Sequence, residues 1–166
     1  MKMPRNRWLA LTIALIVAVD WILKAWAQQR LPLGVPRTVV DGWFSLMRTV
    51  NHGISWGWLK DAPEYVRFPL VITLTLVGIV ATIGIMRQSH DRWLKIAGAL
   101  VLGGALGNLG DRLYHGGVTD YIYVHIFPFI FNFADIAITV GGVILAARML
   151  LEKPAEETAG APAAEA

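Results

Sequence analysis

The feature that most constrains this chain is an apolar run without any charged residue, from position 68 to position 86. Leu, Ile, Val and Thr dominate it, and its length matches the roughly 20 residues that an α-helix needs to cross a bilayer. It is therefore predicted to be a transmembrane helix. The whole chain agrees with a membrane setting, because 55% of its residues are hydrophobic and only 16% are charged, too few for a soluble surface.

Three further segments have the composition of membrane spans, at about 8–27, 93–110 and 132–150. The third span is rich in Gly and Ala, which allow helices to approach closely. We therefore predict an α-helical, polytopic membrane protein whose single domain, residues 1–153, is a bundle of four transmembrane helices. The tail at 154–166 contains mainly Pro, Ala, Glu, Thr and Gly, a composition that predicts disorder.

The first span has two interpretations. Its basic start, its apolar stretch and the Ala-Trp-Ala triplet at 25–27 imitate a secretory signal peptide with its cleavage site. However, Asp20 and Lys24 lie just before that triplet, and the segment is long enough to span the membrane. We favour a helix that is retained.

The loop between the first two spans, about 28–67, is predicted to be more than a linker. Three β-prone stretches, 38–40, 43–50 and 54–59, are separated by Asp-Gly and Asn-His-Gly sequences, which indicates a small sheet over about 30–66. Its tryptophans suit the headgroup layer of a membrane. We expect the sheet to rest on the membrane beside the bundle.

The distribution of basic residues predicts the orientation. Four spans place both termini on one side, and most of the clustered Lys and Arg residues fall there, which indicates the cytoplasm. The clustered residues are Lys2, Arg5, Arg7, Arg87, Arg92, Lys95, Arg148 and Lys153. The long first loop also carries basic residues, but they are more dilute.

Several function classes are not indicated. The net charge of +3 comes from small clusters beside apolar segments, so no nucleic-acid partner is expected. The chain contains no cysteine, and its four histidines are not spaced as metal ligands. We therefore expect no metal and no cofactor. Its serines, including Ser45, lack an obvious base in the sequence, so a serine mechanism is not expected either.

Charged residues within or beside a span need a partner or a task. Asp20 and Lys24 are one helical turn apart and can form an ion pair, either self-contained or as part of a site. Asn108, Asp111 and Arg112 share one helical face near the end of the third span. Gly110, Gly116 and Gly117 favour a helix break there, so that Asp111 has a structural role at a solvated helix end.

Asp120 and Asp135 lie on the same side of the membrane, on either side of a short connection. Two adjacent carboxylates share a proton, leaving one as a base and the other as an acid. Such a pair can hydrolyse a peptide bond without a metal. The alternative is that Asp135 caps its helix while Asp120 bonds to the preceding turn. The spacing alone leaves both readings open.

The residues resemble the lipoprotein signal peptidases, or signal peptidase II, a family of bacterial intramembrane aspartic proteases. The matching motifs are, in order, Asp20 with Lys24, Asn-His-Gly at 51–53, Gly-Asn-Leu-Gly-Asp-Arg at 107–112, Val-Thr-Asp-Tyr at 118–121 and Phe-Asn-Phe-Ala-Asp at 131–135. The resemblance implies a four-helix enzyme with a periplasmic β-cradle. It implies cleavage of prolipoproteins before a diacylglyceryl-modified cysteine, at the outer face of the cytoplasmic membrane.

The resemblance also implies roles for individual residues. Asp120 and Asp135 become the catalytic pair. Substrate binding is expected from Asp20, Asn51, Asn108, Arg112 and Asn132. Structural support is expected from Lys24, Gly53 and Asp111. The implied partners are prolipoproteins carrying the diacylglyceryl group, membrane lipid and globomycin-type inhibitors, and we expect a monomer.

The chain departs from the family pattern at Trp21, Leu23 and Trp56, which puts in doubt how substrate side chains are selected. Two other kinds of protein remain open. A proton-coupled transporter would use the aspartates as a relay, but it would need them at mid-membrane depth. A non-catalytic assembly factor would bind lipidated peptides and tolerate the loss of either aspartate.

Overall fold

The computed structural model of the chain describes residues 7–53 and 63–151. Within these residues, four helices are long and apolar enough to cross a membrane: α1 (Arg7–Arg30), α2 (Glu64–Gln88), α3 (Arg92–His115) and α4 (Phe133–Leu151). The predicted bundle of four spans is confirmed. The first three helices begin and end beyond the predicted apolar segments, because a helix continues into the headgroup layer after its apolar stretch ends.

The α3 helix packs against α1, α2 and α4, and its glycines make the close approach feasible. A Cβ atom added to Gly104 would lie 2.4 Å from the carbonyl oxygen of Ala134 in α4. One added to Gly103 would lie 2.8 Å from the side chain of Ile16 in α1. The prediction that small residues pack this helix against its neighbours is confirmed.

The α3 helix does not break at Gly110, and that expectation is wrong. The helix continues to His115 and ends at Gly116, whose φ of 74° is in the left-handed region that glycine adopts readily. Gly110 instead makes room for the ring of Trp21, since an added Cβ would lie 2.7 Å from Trp21 Cζ2. Asp111 and Arg112 therefore lie inside the last turns of the helix.

The sheet contains four antiparallel strands in the order β1 (Arg37–Val40), β2 (Phe44–Asn51), β3 (Val118–Val124) and β4 (Ile130–Phe131). The first two strands are the predicted ones in the first loop. The other two come from the connection between α3 and α4, so the sheet is not confined to 30–66 as predicted. The third β-prone stretch, 54–59, and the tail at 154–166 lie outside the described residues.

A small hydrophobic core joins the sheet to the end of α1. Ala27 and the neighbouring Leu31 are buried against Tyr121 of β3. These contacts, together with the burial of Asp20 and Lys24 inside the bundle, tie α1 to the sheet and to the other helices. They also bring β3 to the end of the bundle where α3 ends and α4 begins.

Candidate active site

A cavity of about 970 Å³ lies between the sheet and α4, and both Asp120 and Asp135 line it. Asp120 is on β3, opposite Thr49 of β2. Asp135 is in the first turn of α4. The pairing of β2 with β3 and the start of α4 thus bring together two carboxylates from different elements.

Asp120 is held by two side-chain amides. Its Oδ1 accepts a hydrogen bond from Asn132 Nδ2 at 2.7 Å, and its Oδ2 accepts one from Asn51 Nδ2 at 3.1 Å. The side chain is only 2% exposed. Burial, and secondly the negative charge of Asp135, raise the pKa of Asp120 to about 7 although the two amides lower it. Asp120 can therefore carry a proton near neutral pH.

Asp135 forms a reciprocal capping arrangement with Asn132 at the start of α4. Asn132 Oδ1 accepts the backbone N–H of Asp135 at 3.0 Å, and Asp135 Oδ2 accepts the backbone N–H of Asn132 at 3.1 Å. The other oxygen, Oδ1, accepts a hydrogen bond from Asn108 Nδ2 at 2.8 Å. The predicted helix-capping role is present. It coexists with a position in the cavity wall, so the two interpretations are not exclusive.

Asn132 connects the two carboxylates. Its Nδ2 donates to Asp120 at 2.7 Å and to Asn108 Oδ1 at 3.1 Å, while its Oδ1 caps α4 through Asp135. The side chain is completely buried. Every polar atom of this amide forms a hydrogen bond, so its orientation is fixed. The amide in turn helps to fix the position of Asp120 relative to Asp135.

Lys24 and Asp20 extend this network to α1. Lys24 Nζ lies 2.7 Å from Asp20 Oδ2 and donates to Asn108 Oδ1 at 2.8 Å. Asp20 Oδ1 accepts the backbone N–H of Ala134 in α4 at 3.0 Å. The ion pair is therefore not self-contained: it orients the amide of Asn108 and supports the start of α4.

Asp111 holds the backbone of Thr119, the residue that precedes Asp120. Its Oδ2 accepts the backbone N–H of Thr119 at 2.6 Å, and its Oδ1 is 2.6 Å from His115 Nδ1. With 3% of its surface exposed, Asp111 does not lie at a solvated helix end as expected. It is a buried support for β3.

Arg112 Nη2 donates to the backbone carbonyl of Gly53 at 3.3 Å, which ties α3 to the segment just after β2. Together with Asn108 and Asp135 it lines an adjoining cavity of about 530 Å³ between α2, α3 and α4. Asp135 thus faces both cavities.

The residues expected to bind substrate fall into two groups. Asn51 lines the main cavity, while Asn108 and Arg112 line the adjoining one. Asp20 and Asn132 are fully buried and line neither cavity. The expectation of direct substrate contact from those two does not match their burial. Both hold other residues of the site in place: Asp20 accepts the backbone N–H of Ala134, and Asn132 donates to Asp120.

Two features of the described residues were not predicted, and only the first belongs to the site. One is an apolar wall of the main cavity, formed by Phe127, Phe129, Phe131, Ile136 and Val140. The signal for it was the Phe-Pro-Phe-Ile-Phe run at 127–131, and Val140 follows Asp135 by little more than one helical turn. The other is the partner of Ser45, whose Oγ lies 2.9 Å from His125 Nε2. Ser45 is only 1% exposed, so this pair offers no accessible nucleophile.

The fold and the site define a class: a multi-pass membrane protein in which one buried carboxylate, Asp120, and one partly exposed carboxylate, Asp135, line the same cavity. Two such groups are able to act as an acid and a base. Among the described residues, no group of three or more His, Asp or Glu side chains is placed to hold a metal ion.

Comparisons with known proteins give the family. The family model described as signal peptidase (SPase) II matches residues 12–151, and the chain belongs to this family. It is 41% identical to the lipoprotein signal peptidase of Pseudomonas syringae pv. tomato, with 95% of this chain and 93% of that protein covered. It is 38% identical to that of Pseudomonas aeruginosa strain UCBPP-PA14, with 95% and 96% covered.

Two solved structures, both described as bacterial membrane enzymes, share the fold. One has a TM-score of 0.81 at 22% identity, with 95% of this chain and 96% of that chain covered. The other has a TM-score of 0.78 at 23% identity, with 90% and 96% covered. The chain is therefore a multi-pass bacterial membrane protein of the signal peptidase II family, a family of proteases.

Proposed function

We propose that this protein is an intramembrane aspartic endopeptidase that removes signal peptides from prolipoproteins, cleaving before the diacylglyceryl-modified cysteine. Family membership and the similarity to proteins named lipoprotein signal peptidase support the substrate class. The observation that carries the mechanism is the placement of Asp120 and Asp135 in one cavity, joined by Asn132. The pKa of Asp120, raised to about 7, supports a shared proton.

The two carboxylates have different tasks in this mechanism. Asp135, in the first turn of α4, acts as the base and takes a proton from water. The water oxygen attacks the scissile carbonyl carbon while protonated Asp120 donates its proton to the carbonyl oxygen. The resulting gem-diol then collapses. Asp120 takes back a proton from a hydroxyl, Asp135 gives its proton to the leaving nitrogen, and the C–N bond breaks.

The walls of the two cavities suit a lipidated peptide. We infer that Asn51, which lines the main cavity, and Arg112, which lines the adjoining one, donate hydrogen bonds to peptide carbonyls of the substrate. The phenylalanines of the main cavity provide an apolar surface for an acyl chain or for apolar side chains before the cleaved bond. Trp43, 64% exposed at the turn between β1 and β2, suits the headgroup layer. We infer that membrane lipid and the substrate's diacylglyceryl group are contacted on this side.

We infer that both termini are cytoplasmic and that the site faces the outer side of the bacterial cytoplasmic membrane. Among the described residues, Arg7, Arg87, Arg92, Lys95 and Arg148 all lie at the end of the bundle away from Asp120 and Asp135. The basic residues at the other end, such as Arg30 and Arg67, are spread over the long first loop. Basic residues clustered beside the spans mark the cytoplasmic side. The carboxylates therefore lie at the outer rim. We further infer that the protein works as a monomer, since all residues of the proposed site come from one chain.

Incubation of the purified protein with matched propeptides tests this function. One propeptide carries a diacylglyceryl group on its cysteine and the other does not, and mass spectrometry identifies the products. We expect cleavage of the lipidated peptide alone, at the bond before the cysteine, without inhibition by chelators and with inhibition by a globomycin-type cyclic peptide. Binding of the lipidated peptide without any cleavage would instead indicate an assembly factor.

A further inference from the structure

A further cavity, with an apolar part and a polar rim, lies at the other end of the bundle. It measures about 520 Å³ and is enclosed by the start of α1, the end of α2 and the start of α3. Its apolar part is lined by Leu9, Ala10, Ile13, Ile83, Met86 and Leu102. Its distance from the proposed active site is large, because Lys95 and Asn108 are about 20 Å apart along α3 at 1.5 Å per residue.

The polar rim of this cavity is cationic. Arg87, Lys95 and His90 line it, and His90 and Lys95 also line an adjoining cavity of about 670 Å³ together with Arg92 and Trp8. We call these five residues and the apolar part behind them the basic groove. The basic groove is thus lined by basic side chains from three places: the end of α2, the start of α3 and the turn between them.

Asp91, which lies between His90 and Arg92 in the sequence, does not neutralise the basic groove. Asp91 is paired with Arg148 of α4, and it caps α3 by accepting the backbone N–H groups of Trp93 and Leu94. Within residues 7–53 and 63–151, no ion pair joins Arg87, Arg92 or Lys95 to a carboxylate. The basic groove therefore presents an excess of positive charge.

The aromatic residues place this charge at the level of the lipid headgroups. Trp8 lies in the first turn of α1 and Trp93, 56% exposed, lies in the first turn of α3. Tryptophan prefers the boundary between headgroups and acyl chains. A phosphate held by the basic rim would be at the membrane surface, and the apolar part of the cavity would extend from it towards the bilayer interior.

We propose that the basic groove is a binding site for an anionic phospholipid. The headgroup phosphate binds to Arg87, Lys95 and neighbouring cations, and an acyl chain occupies the apolar part between α1, α2 and α3. A cationic rim beside an apolar cavity favours an anionic lipid over other ligands. A free phosphate would contact only the cations, and a zwitterionic headgroup would be attracted less strongly by their positive charge. The site is separate from the proposed hydrolysis.

Lipid titration of the delipidated full-length protein tests this site, by native mass spectrometry and by the midpoint of thermal unfolding. The probes are dioleoyl phosphatidylglycerol, dioleoyl phosphatidylcholine and inorganic phosphate. A ligand that binds only the folded protein raises the midpoint. We expect phosphatidylglycerol to bind and to raise the midpoint, and the other two probes to do so far less.

Charge-neutral variants locate the binding. Arg87→Gln with Lys95→Gln is expected to weaken phosphatidylglycerol binding at least tenfold, whereas Arg87→Lys with Lys95→Arg is expected to retain it. The matched control is Arg30→Gln with Arg37→Gln, which removes two exposed charges at the other end of the bundle. Size-exclusion elution and the helical circular dichroism signal check folding.

Three results would overturn the proposal. The first is unchanged phosphatidylglycerol binding in the double Gln variant. The second is equal binding of phosphatidylglycerol and phosphatidylcholine by the unaltered protein. The third is equal stabilisation by inorganic phosphate, which would indicate an anion site that needs no lipid. If the double Gln variant does not fold, weaker binding by the Arg87→Lys, Lys95→Arg variant than by the Arg30→Gln, Arg37→Gln control likewise contradicts the assignment.

Discussion

Asn132 is the residue that holds the two carboxylates, Asp120 and Asp135, in position relative to each other. It donates to Asp120, caps α4 through the backbone of Asp135 and is itself oriented by Asn108. A side-chain carboxamide suits this position because it is both donor and acceptor and carries no charge. In our account Asn132 is a positioning residue, because it is fully buried and does not reach the cavities.

Replacing Asn132 separates its two tasks. Asn132→Ala removes partners of buried polar groups, so we expect a loss of about 1 to 3 kcal/mol in the free energy of unfolding. We also expect a fall in kcat of about 100-fold, with a much smaller change in KM, because a small misplacement of catalytic groups slows the reaction by about that factor. Asn132→Ser keeps a good helix-capping side chain, and we expect it to recover much of the stability but little of the rate. Denaturation and steady-state assays measure both effects, and normal kcat in both variants would contradict the assignment.

The raised pKa of Asp120 predicts a pH-dependent stability. A carboxyl group whose pKa is higher in the folded than in the unfolded state stabilises the fold below its unfolded value, near 4, and loses that contribution as the pH rises through about 7. Between pH 5 and pH 8 we expect a loss of about 2 to 3 kcal/mol from this group. Unfolding of the unaltered protein and of Asp120→Asn at both pH values isolates the difference. An equal pH response in the two proteins would contradict the shift.

At the scale of elements, the site lies where β3, which carries Asp120, meets the start of α4, which carries Asp135. Strand β3 is positioned by its pairing with β2 and by the hydrogen bond from the backbone of Thr119 to Asp111. Helix α4 is positioned by Asp20, which accepts the backbone N–H of Ala134, and by close packing against α3 at Gly104. Any displacement of α4 from α3 therefore moves Asp135 relative to Asp120.

The glycine at this helix contact gives a direct test of that coupling. In Gly104→Ala the new methyl group would lie 2.4 Å from the Ala134 carbonyl oxygen, so the helices must separate. We expect a loss of about 1 to 3 kcal/mol in stability and a clear fall in kcat. Gly84→Ala is the matched control, because no atom lies within 4 Å of its added Cβ. We expect the control to unfold and turn over like the unaltered protein, and similar behaviour of both variants would contradict the coupling.

At the scale of the whole molecule, the four spans could be predicted because they depend on local composition. The length and apolar composition of residues 68–86 predict a transmembrane helix without information from any other part of the chain. The sheet was only half predictable, since the pairing of β2 with β3 joins residues about 70 positions apart and strand preferences do not specify partners. The helix break predicted at Gly110 was wrong for a similar reason. Gly110 lies inside α3 against the ring of Trp21, a contact that residues near Gly110 in the sequence do not indicate.

The site was predictable as a set of residues but not as a geometry. The motifs identify Asp120 and Asp135, and the structure places both in one cavity. Spacing could not show that Asp20 and Asn132 are buried behind that cavity, because their burial results from packing between α1, α3 and α4. In the sequence, residues 127–131 are only an apolar run; the structure shows that they line the same cavity as the two carboxylates.

The most direct measurement of the central claim is turnover of a diacylglyceryl-modified propeptide by single Asp→Asn variants. Asp41→Asn is the matched control, since Asp41 is exposed in the turn between β1 and β2. We expect Asp120→Asn and Asp135→Asn each to lower kcat by at least 1000-fold while the control cleaves normally, because neither the acid nor the base can be replaced by an amide. Turnover close to normal in either variant, with the protein folded, would contradict an aspartic mechanism built on this pair.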